Sequence, residues 1–240
     1  ILCCFVILFH KALGLIPEHH KKIKDFKIEE VSEAAGFHFK HEQTGFNFYS
    51  NIEPWLSSLS SSVAVVDIDD DGWPDIYLNT GLINGLNHLY RNNHDGTFTD
   101  VAKQYGLADI NKYSNSVRSV FFDANNDGTP ELLMLKGGTI EFYKKNTRGQ
   151  YEQIQFPGIS QQSVYANAVQ VLDINKDGLL DIIIPETVGR SPGRVEPLPM
   201  NFVHSINGAP TFVFENTGNC VFKLNTTWLA EKNESFTNAL

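Results

Sequence analysis

The strongest constraint on this chain is a nine-residue acidic loop that occurs three times along it. Each copy has an acid or an amide at positions 1, 3, 5 and 9 and a glycine at position 6. The copies span residues 67–75, 123–131 and 173–181. Alternate side chains of a tight loop point toward a common centre, so each copy directs four oxygen-bearing side chains at one point. Glycine lets the backbone turn at position 6 through conformations that other residues resist.

Four hard oxygen ligands, with the backbone carbonyl of position 7 as a fifth, suit Ca²⁺, which takes six to eight oxygens in flexible geometry. The predicted ligands are Asp67, Asp69, Asp71, Trp73, Asp75, Asp123, Asn125, Asp127, Thr129, Glu131, Asp173, Asn175, Asp177, Leu179 and Asp181. For any single copy the alternative is a plain turn, since Asp, Asn and Gly are good turn formers. Three copies with the same fixed positions favour three Ca²⁺ sites.

The residues around each loop exclude an EF-hand. An EF-hand carries glutamate at position 12 and a helix on each side. Position 12 here is Leu78, Met134 or Ile184. The flanking runs, such as 63–66 before the first loop and 76–78 after it, are rich in β-branched and aromatic residues and indicate strands. Each loop is therefore predicted to lie at the tip of a β-hairpin.

The loops also set a period of 50 to 56 residues, which is the size of one propeller blade. A second motif closes each unit, because residues 90–101 align with 143–154 and, more weakly, with 215–222. Residues 101–107 match 31–37, so the region before residue 60 carries the closing part of a similar unit. Each unit is predicted to contain four strands, which make a blade.

We therefore predict an all-β fold, a segment of a β-propeller with four-stranded blades, over residues 26–240. Its repeats fall at about 61–107, 117–155 and 166–224. Propellers close with ~4–8 blades, so the chain is interpreted as a fragment of a longer propeller. Completion of the ring by self-association is the alternative.

In these motifs the chain resembles the FG-GAP/VCBS-type calcium-binding repeats of integrin α-subunit propellers and of many secreted proteins. The run 92–101, followed by a short Gly-Leu ending, is similar to repeats of cartilage-acidic-protein-like chains and of chains with an ASPIC/UnbV module. The resemblance covers about residues 26–224 and implies a β-propeller with Ca²⁺ bound by the residues named above. The chain departs from the pattern by an insertion between Pro185 and Thr211 and by Cys220 in place of a closing glycine.

Composition agrees with a metal-binding role for the acids. Ten of the 28 acidic residues are predicted ligands, and they account for the formal net charge of −9. No basic stripe is present that could neutralise phosphates, so nucleic acid is excluded as a partner. The basic cluster at 19–24 falls in a predicted solvated linker, residues 15–25.

Residues 1–14 are interpreted as a secretory signal peptide with a truncated start. Residues 1–9 form an unbroken apolar run that is too short to span a bilayer. Ala12 and Gly14 supply the small residues that precede a cleavage site before Leu15. The chain is therefore expected to be secreted or at the cell surface, or periplasmic or extracellular in a bacterium. A retained anchor is the alternative, and membrane association is expected only in that case.

Two further expectations follow from cleavage and secretion. Loss of the signal would leave Cys220 as the single cysteine, so no internal disulfide is expected. Asn225 and Asn233 begin glycosylation sequons, which have meaning if the source is eukaryotic.

No catalytic residue is predicted. The segment 189–193 matches the nucleophile pattern G-x-S-x-G around Ser191, but the residue after the nucleophile must donate its N–H to an oxyanion, and Pro192 has none. The expected function is a non-catalytic extracellular module, stabilised by Ca²⁺, that binds a protein or a glycan in adhesion. The Pro- and Gly-rich insertion at 186–201 is a candidate contact loop.

Two other functions compete with adhesion. The chain could be the accessory propeller, or a fragment, of a secreted hydrolase or lyase whose active site lies outside these residues. A glycan-binding lectin would repeat an aromatic residue beside each site. Trp73 has no aromatic counterpart at Thr129 or Leu179, which disfavours the lectin.

Overall fold

The computed structural model describes residues 28–41, 61–82, 84–108, 116–136, 139–156, 166, 168–185, 190–191, 194–195 and 211–228. Within these residues all regular secondary structure is β-strand, so the predicted all-β fold is confirmed. In the same ranges no helix is long and apolar enough to cross a membrane. The predicted signal peptide and linker, Asn233 and most of the insertion at 186–201 lie outside the described residues.

Twelve strands form three antiparallel four-stranded sheets, each made from one stretch of chain. Blade one consists of β1 (Ser62–Val66), β2 (Asp75–Asn79), β3 (His88–Asn92) and β4 (Phe98–Asp100), in that spatial order. Blade two consists of β5 (Ser116–Phe122), β6 (Glu131–Lys136), β7 (Thr139–Lys145) and β8 (Tyr151–Ile154). Blade three consists of β9 (Gln170–Leu172), β10 (Asp181–Pro185), β13 (Thr211–Asn216) and β14 (Phe222–Leu224). Between β10 and β13, β11 (Arg190–Ser191) pairs with β12 (Arg194–Val195).

Burial along the strands shows how the blades stack. Every residue of β6 is buried, and so are four of the five residues of β2. Leu132 and Met134 of β6 pack toward blade one, whereas Leu133 and Leu135 pack toward blade three, so this strand is covered on both faces and its central residues are all apolar. The outer strand β4 is mostly exposed and carries polar residues, which protect a sheet edge against pairing with other chains.

Two apolar clusters hold the blades together. One lies between blades one and two and centres on Tyr77, Leu89 and Leu132. The other lies between blades two and three and is rich in phenylalanine, with Phe142 and Phe222 at 5.6 Å between ring centroids. Edge-to-face aromatic pairs of this kind add stabilisation beyond the apolar area that they bury. The described fold is therefore a row of face-packed blades, as expected for a propeller segment.

The turns at 31–37 and 101–107 share one hydrogen-bond pattern. Three backbone bonds within each turn correspond one to one, for example Phe37 N to Ser32 O at 2.8 Å and Leu107 N to Ala102 O at 2.9 Å. Each turn also accepts a bond from the first residue of a fourth strand, Phe98 N to Ala35 O in one case and Tyr151 N to Tyr105 O in the other, both at 2.8 Å. Residues 31–37 thus contact blade one as residues 101–107 contact blade two.

Candidate metal centres

The three acidic loops join the first and second strands of their blades, at the same end of each sheet. We call them loop one (67–75), loop two (123–131) and loop three (173–181). The backbone has a positive φ at position 4 of each loop, in Asp70, Asn126 and Lys176, with values of 58° to 64°. The glycine at position 6 has φ of 84°, 85° or 88°. Because this left-handed region favours glycine, the invariant residue is explained by the backbone itself.

One hydrogen-bond pattern fixes all three loops. The acid at position 1 accepts the N–H of position 5 at 3.1 Å in every loop. Its second oxygen accepts the glycine N–H at 2.8, 2.7 and 2.9 Å. The acid at position 5 accepts the N–H of position 7 at 2.8, 2.9 and 2.8 Å. Repetition in sequence therefore produces three nearly identical oxygen-lined loops.

The acid at position 9 has a structural task besides its predicted role as a ligand. Asp75, Glu131 and Asp181 are all within 1 % of complete burial. One carboxylate oxygen of each accepts the N–H of position 2 at 2.9 Å, which closes the loop. In loops one and three the other oxygen accepts an N–H from the third strand, at 2.7 and 2.8 Å. A carboxylate oxygen has two lone pairs, so a metal bond remains compatible with these contacts.

Loop one has the densest negative charge. One oxygen from each of Asp67, Asp69 and Asp71 lies within 4.8 Å of the other two, and the loop carries Asp75 as a fourth predicted ligand. Burial raises the pKa of Asp75, and the neighbouring charges of Asp69 and Asp71 raise it further, against two backbone hydrogen bonds that lower it. Mutual repulsion among these carboxylates is what a divalent cation would relieve. The donor set of loop one therefore fits a hard cation.

A histidine that the sequence pattern did not identify also contacts loop one. His94 lies in the turn between β3 and β4, and its Nε2 is 2.7 Å from Asp71 Oδ2. The imidazole stacks on Trp73, with 5.0 Å between the ring centroids. The N–H of Trp73 lowers the pKa of Asp71, and His94 lowers it further, although burial acts in the opposite direction. Nothing in the local spacing links positions 71 and 94, because the contact depends on the pairing of β2 with β3.

Loop two differs from loop one because a lysine side chain contacts two of its acids. Lys144, on β7, has its Nζ 3.1 Å from Asp127 Oδ2 and 3.3 Å from Glu131 Oε1. Asn125 Nδ2 donates to the same Glu131 oxygen at 3.3 Å. Burial lowers the pKa of Lys144, but its bonds to Asp127 and Glu131 outweigh this and hold the pKa above its usual value.

Loop three has the same ligand types as loop two, with an amide at position 3 and three acids. Asn175 Nδ2 donates to Asp177 Oδ2 at 2.8 Å. The residue of β13 that corresponds to Lys144 is Glu215, because Tyr143 pairs with Leu132 as Phe214 pairs with Ile182. The two loops thus present matched ligands, and the third strands of their blades carry side chains of opposite charge at the equivalent position.

The first two loops are each tied to the following blade. Lys145 Nζ of blade two donates to the carbonyl of Ile68, position 2 of loop one, at 2.6 Å. Asn216 Nδ2 of blade three donates to the carbonyl of Ala124, position 2 of loop two, at 2.7 Å. Lys145 and Asn216 occupy equivalent places on the third strand of their blades. We call these two contacts the blade ties.

Other residues from the sequence analysis lie away from the loops. Ser191 is in β11, paired with β12, so the described residues place it in a short hairpin. Asn225 follows β14 and is half-buried, and its Nδ2 donates to Glu215 at 3.1 Å. Cys220 is buried, forms no disulfide and adopts a φ of 58°. The turn that contains Cys220 is closed by a bond from Thr217 N to Val221 O, which corresponds to the bond from Asn93 N to Thr97 O around Gly96 in blade one.

Comparison with known proteins supports the repeat assignment. The family model of the FG-GAP-like repeat matches the chain twice, over residues 81–134 and 123–184. The matched ranges include loops two and three and the strands on both sides of loop two. A search of curated proteins found no match to the chain.

Proposed function

From the premise that this chain carries FG-GAP-like repeats, we propose that it is a calcium-stabilised, non-catalytic β-propeller module that binds an extracellular protein or glycan. The repeats and the four-stranded antiparallel sheets establish a β-propeller segment. Calcium, the extracellular location and the binding role are the proposed part.

One observation supports calcium above all others: the same oxygen-lined geometry is built three times. The acids at positions 1 and 5 accept equivalent backbone N–H groups in every loop, with distances that agree to within 0.2 Å. Hard oxygen donors are the ligands that Ca²⁺ prefers. Bound calcium would supply positive charge and join both strands of the hairpin at one point. The chain's own residues hold the carboxylates in place.

The expected stabilisation is large enough to measure. For a site with a Kd near ~0.1 mM in ~1 mM calcium, mass action gives about 1.4 kcal/mol. Two or three such sites supply roughly 3–4 kcal/mol, a large share of the ~5–15 kcal/mol that holds a typical domain together. A domain of this size gains roughly 2–4 °C in Tm per kcal/mol, so a total shift of about 6–16 °C is expected.

Thermal unfolding of the purified chain with calcium, with magnesium and with chelator tests the proposal. Calcium should raise Tm, and magnesium should raise it less because it dehydrates reluctantly and demands near-ideal octahedral geometry. Asp71→Ala should reduce the calcium-dependent shift. Asp95→Ala, which removes an exposed acid outside the loops, is the matched control and should keep the full shift.

Three results would contradict the calcium proposal. They are a Tm that chelator leaves unchanged, an equal rise with magnesium, and a full calcium shift in Asp71→Ala.

The binding role is supported by the rigid blades and by the insertion at 186–201, since recognition residues tend to lie on loops over a rigid scaffold. We expect the immobilised protein to bind at least one ligand when it is screened against extracellular glycans and matrix proteins. Chelator should weaken that binding. Turnover of a polysaccharide or ester substrate by the purified chain would contradict a non-catalytic role and favour the hydrolase or lyase alternative.

A further inference from the structure

We propose that Lys144 is a built-in cation of loop two, which lowers the calcium affinity of that loop and stabilises it without metal. This inference rests on the proposed calcium-binding function and makes the three loops unequal. It predicts strong calcium binding at loops one and three and weak binding at loop two.

The position of the ammonium group is the first reason. Lys144 Nζ is 3.1 Å from Asp127 and 3.3 Å from Glu131, the acids at positions 5 and 9 of loop two. Glu131 is almost completely buried, whereas the Lys144 side chain is 37 % exposed. The lysine therefore reaches from the surface over the loop and places its charge on a carboxylate that water cannot solvate well.

The oxygens that Lys144 contacts are the second reason. Asp127 Oδ1 accepts the N–H of Thr129, and Glu131 Oε2 accepts the N–H of Ala124. Lys144 contacts the other oxygen of each acid, Oδ2 and Oε1. A metal ion at loop two would compete with the ammonium group for the oxygens that the backbone leaves open, and the two cations would repel each other at close range.

Comparison with loop three is the third reason. Both loops carry three acids and an asparagine at position 3, so their ligand types match. At the strand position equivalent to Lys144, blade three has Glu215, so its third strand supplies a carboxylate there instead of an ammonium group. Loop three carries Lys176 at position 4, where loop two has Asn126, so the comparison concerns only the charge that the third strand supplies. In blade one the same register places Arg91 at this position, but the corresponding oxygen of Asp71 contacts His94, and the loop carries four acids.

Calorimetric calcium titration of Lys144→Gln is the direct test, because the substitution removes the charge but keeps most of the side-chain length. The variant should gain calcium affinity at one site by about tenfold, the effect of removing one adjacent and partly screened charge. Adding Asp127→Asn to Lys144→Gln should abolish that gain, which assigns it to loop two. Lys103→Gln removes an exposed lysine from the closing turn of blade one and should titrate like the parent chain.

Thermal unfolding with and without calcium distinguishes an electrostatic role of Lys144 from a purely structural one. A lysine that only packs and donates hydrogen bonds would make Lys144→Gln unstable to the same extent with and without calcium. A built-in cation predicts a lower Tm in chelator and recovery of the parent Tm, or more, at saturating calcium. The reciprocal change Glu215→Lys should weaken one calcium site of the parent chain by about tenfold, since it places an ammonium group beside loop three.

The outcomes are distinguishable. Calcium binding that is unchanged in Lys144→Gln, or an equal loss of Tm with and without calcium, overturns the role of Lys144 while leaving the proposed function in place. A parent chain that binds no calcium overturns both.

Discussion

Lys145 and Ile68 lie 77 residues apart in the chain and are joined by a hydrogen bond of 2.6 Å between the lysine ammonium and the isoleucine carbonyl. The ammonium also lies 5.6 and 5.7 Å from the ring centroids of Tyr105 and Tyr151. Burial lowers the pKa of Lys145, and the nearby charges of Asp69 and Asp67 act against that effect. One side chain of blade two therefore links the backbone of loop one, its acids and the aromatic residues between the blades.

Replacing Lys145 should destabilise the contact between blades one and two. We expect Lys145→Ala to lose about 1–3 kcal/mol, because a charge-assisted hydrogen bond is removed and a half-buried carbonyl loses its donor. Lys145→Asn should lose less, since Asn216 makes the corresponding contact in blade three. Urea unfolding in the presence of chelator measures both without the contribution of metal. An asparagine variant as unstable as the alanine variant would show that the two blade ties are not equivalent.

Replacing the glycine of the closing turn at 101–107 should destabilise the fold. A Cβ on Gly106 would lie 3.1 Å from the carbonyl oxygen of Tyr151, and the residue has a φ of 73°. We expect Gly106→Ala to cost roughly 2–3 kcal/mol, from the left-handed backbone and from displacement of β8. Gly149→Ala is the control, because its φ is 79° but no atom lies within 4 Å of the added Cβ. It should cost about 1–2 kcal/mol, and equal losses for both variants would rule out the close approach as the cause.

Asp100 should contribute to stability in a pH-dependent way. Burial raises its pKa, but hydrogen bonds from His88 and from the Ala102 N–H outweigh burial, so the pKa lies below its ordinary value. A lowered pKa in the folded state means that the contribution is complete above about pH 4 and is lost as the pH falls below it. Asp100→Asn should therefore be about 1 kcal/mol less stable than the parent chain at pH 7.

That difference should begin to shrink as the pH falls below about 4 and should vanish once the pH is below the lowered pKa of Asp100 in the folded chain. Urea titrations at pH 7, 5, 4 and 3 measure it, with chelator present so that the acidic loops contribute no metal binding. An undiminished difference at pH 3 would show that Asp100 acts through shape rather than charge.

Cys220 should be unreactive in the folded protein. Burial, followed by the charge of Glu131, raises the pKa of its thiol to about 11, so very little thiolate exists at pH 8. A chain that begins at Leu15 should react with a thiol reagent in denaturant and not in buffer, and it should migrate identically with and without reductant. A dimer that disappears on reduction would instead make Cys220 an intermolecular link.

The sequence predicted the parts of the fold that depend on neighbours in the chain. Glycine at position 6 and acids at alternate positions are enough to specify loop one, because the bonds that fix it join residues at most seven apart. The match between 31–37 and 101–107 likewise predicted a shared turn. The period alone did not explain why the turn needs glycine, since the atom that would crowd a Cβ at Gly106 belongs to Tyr151 in the next blade.

Contacts between third strands and loops could not be read from spacing. Lys144 and Lys145 are adjacent in sequence, yet one reaches loop two of its own blade and the other reaches loop one of the preceding blade. The difference arises from the alternation of side chains along β7, which needs the strand register to be known. The sequence pattern likewise predicted that position 9 is a ligand. It did not show that the carboxylate at this position is buried and closes the loop.

The blade ties affect the order in which the loops can be completed while the chain folds on the ribosome. The carbonyl of Ile68 accepts its hydrogen bond from a side chain 77 residues further along the chain. The carbonyl of Ala124 accepts its bond from a side chain 92 residues further along. Each loop can form its own hydrogen bonds at once, but the donor from its neighbour arrives only after the next blade has emerged and paired. Since chains fold from the N-terminus during synthesis, loop one should be completed only after blade two has formed, and loop two only after blade three has formed.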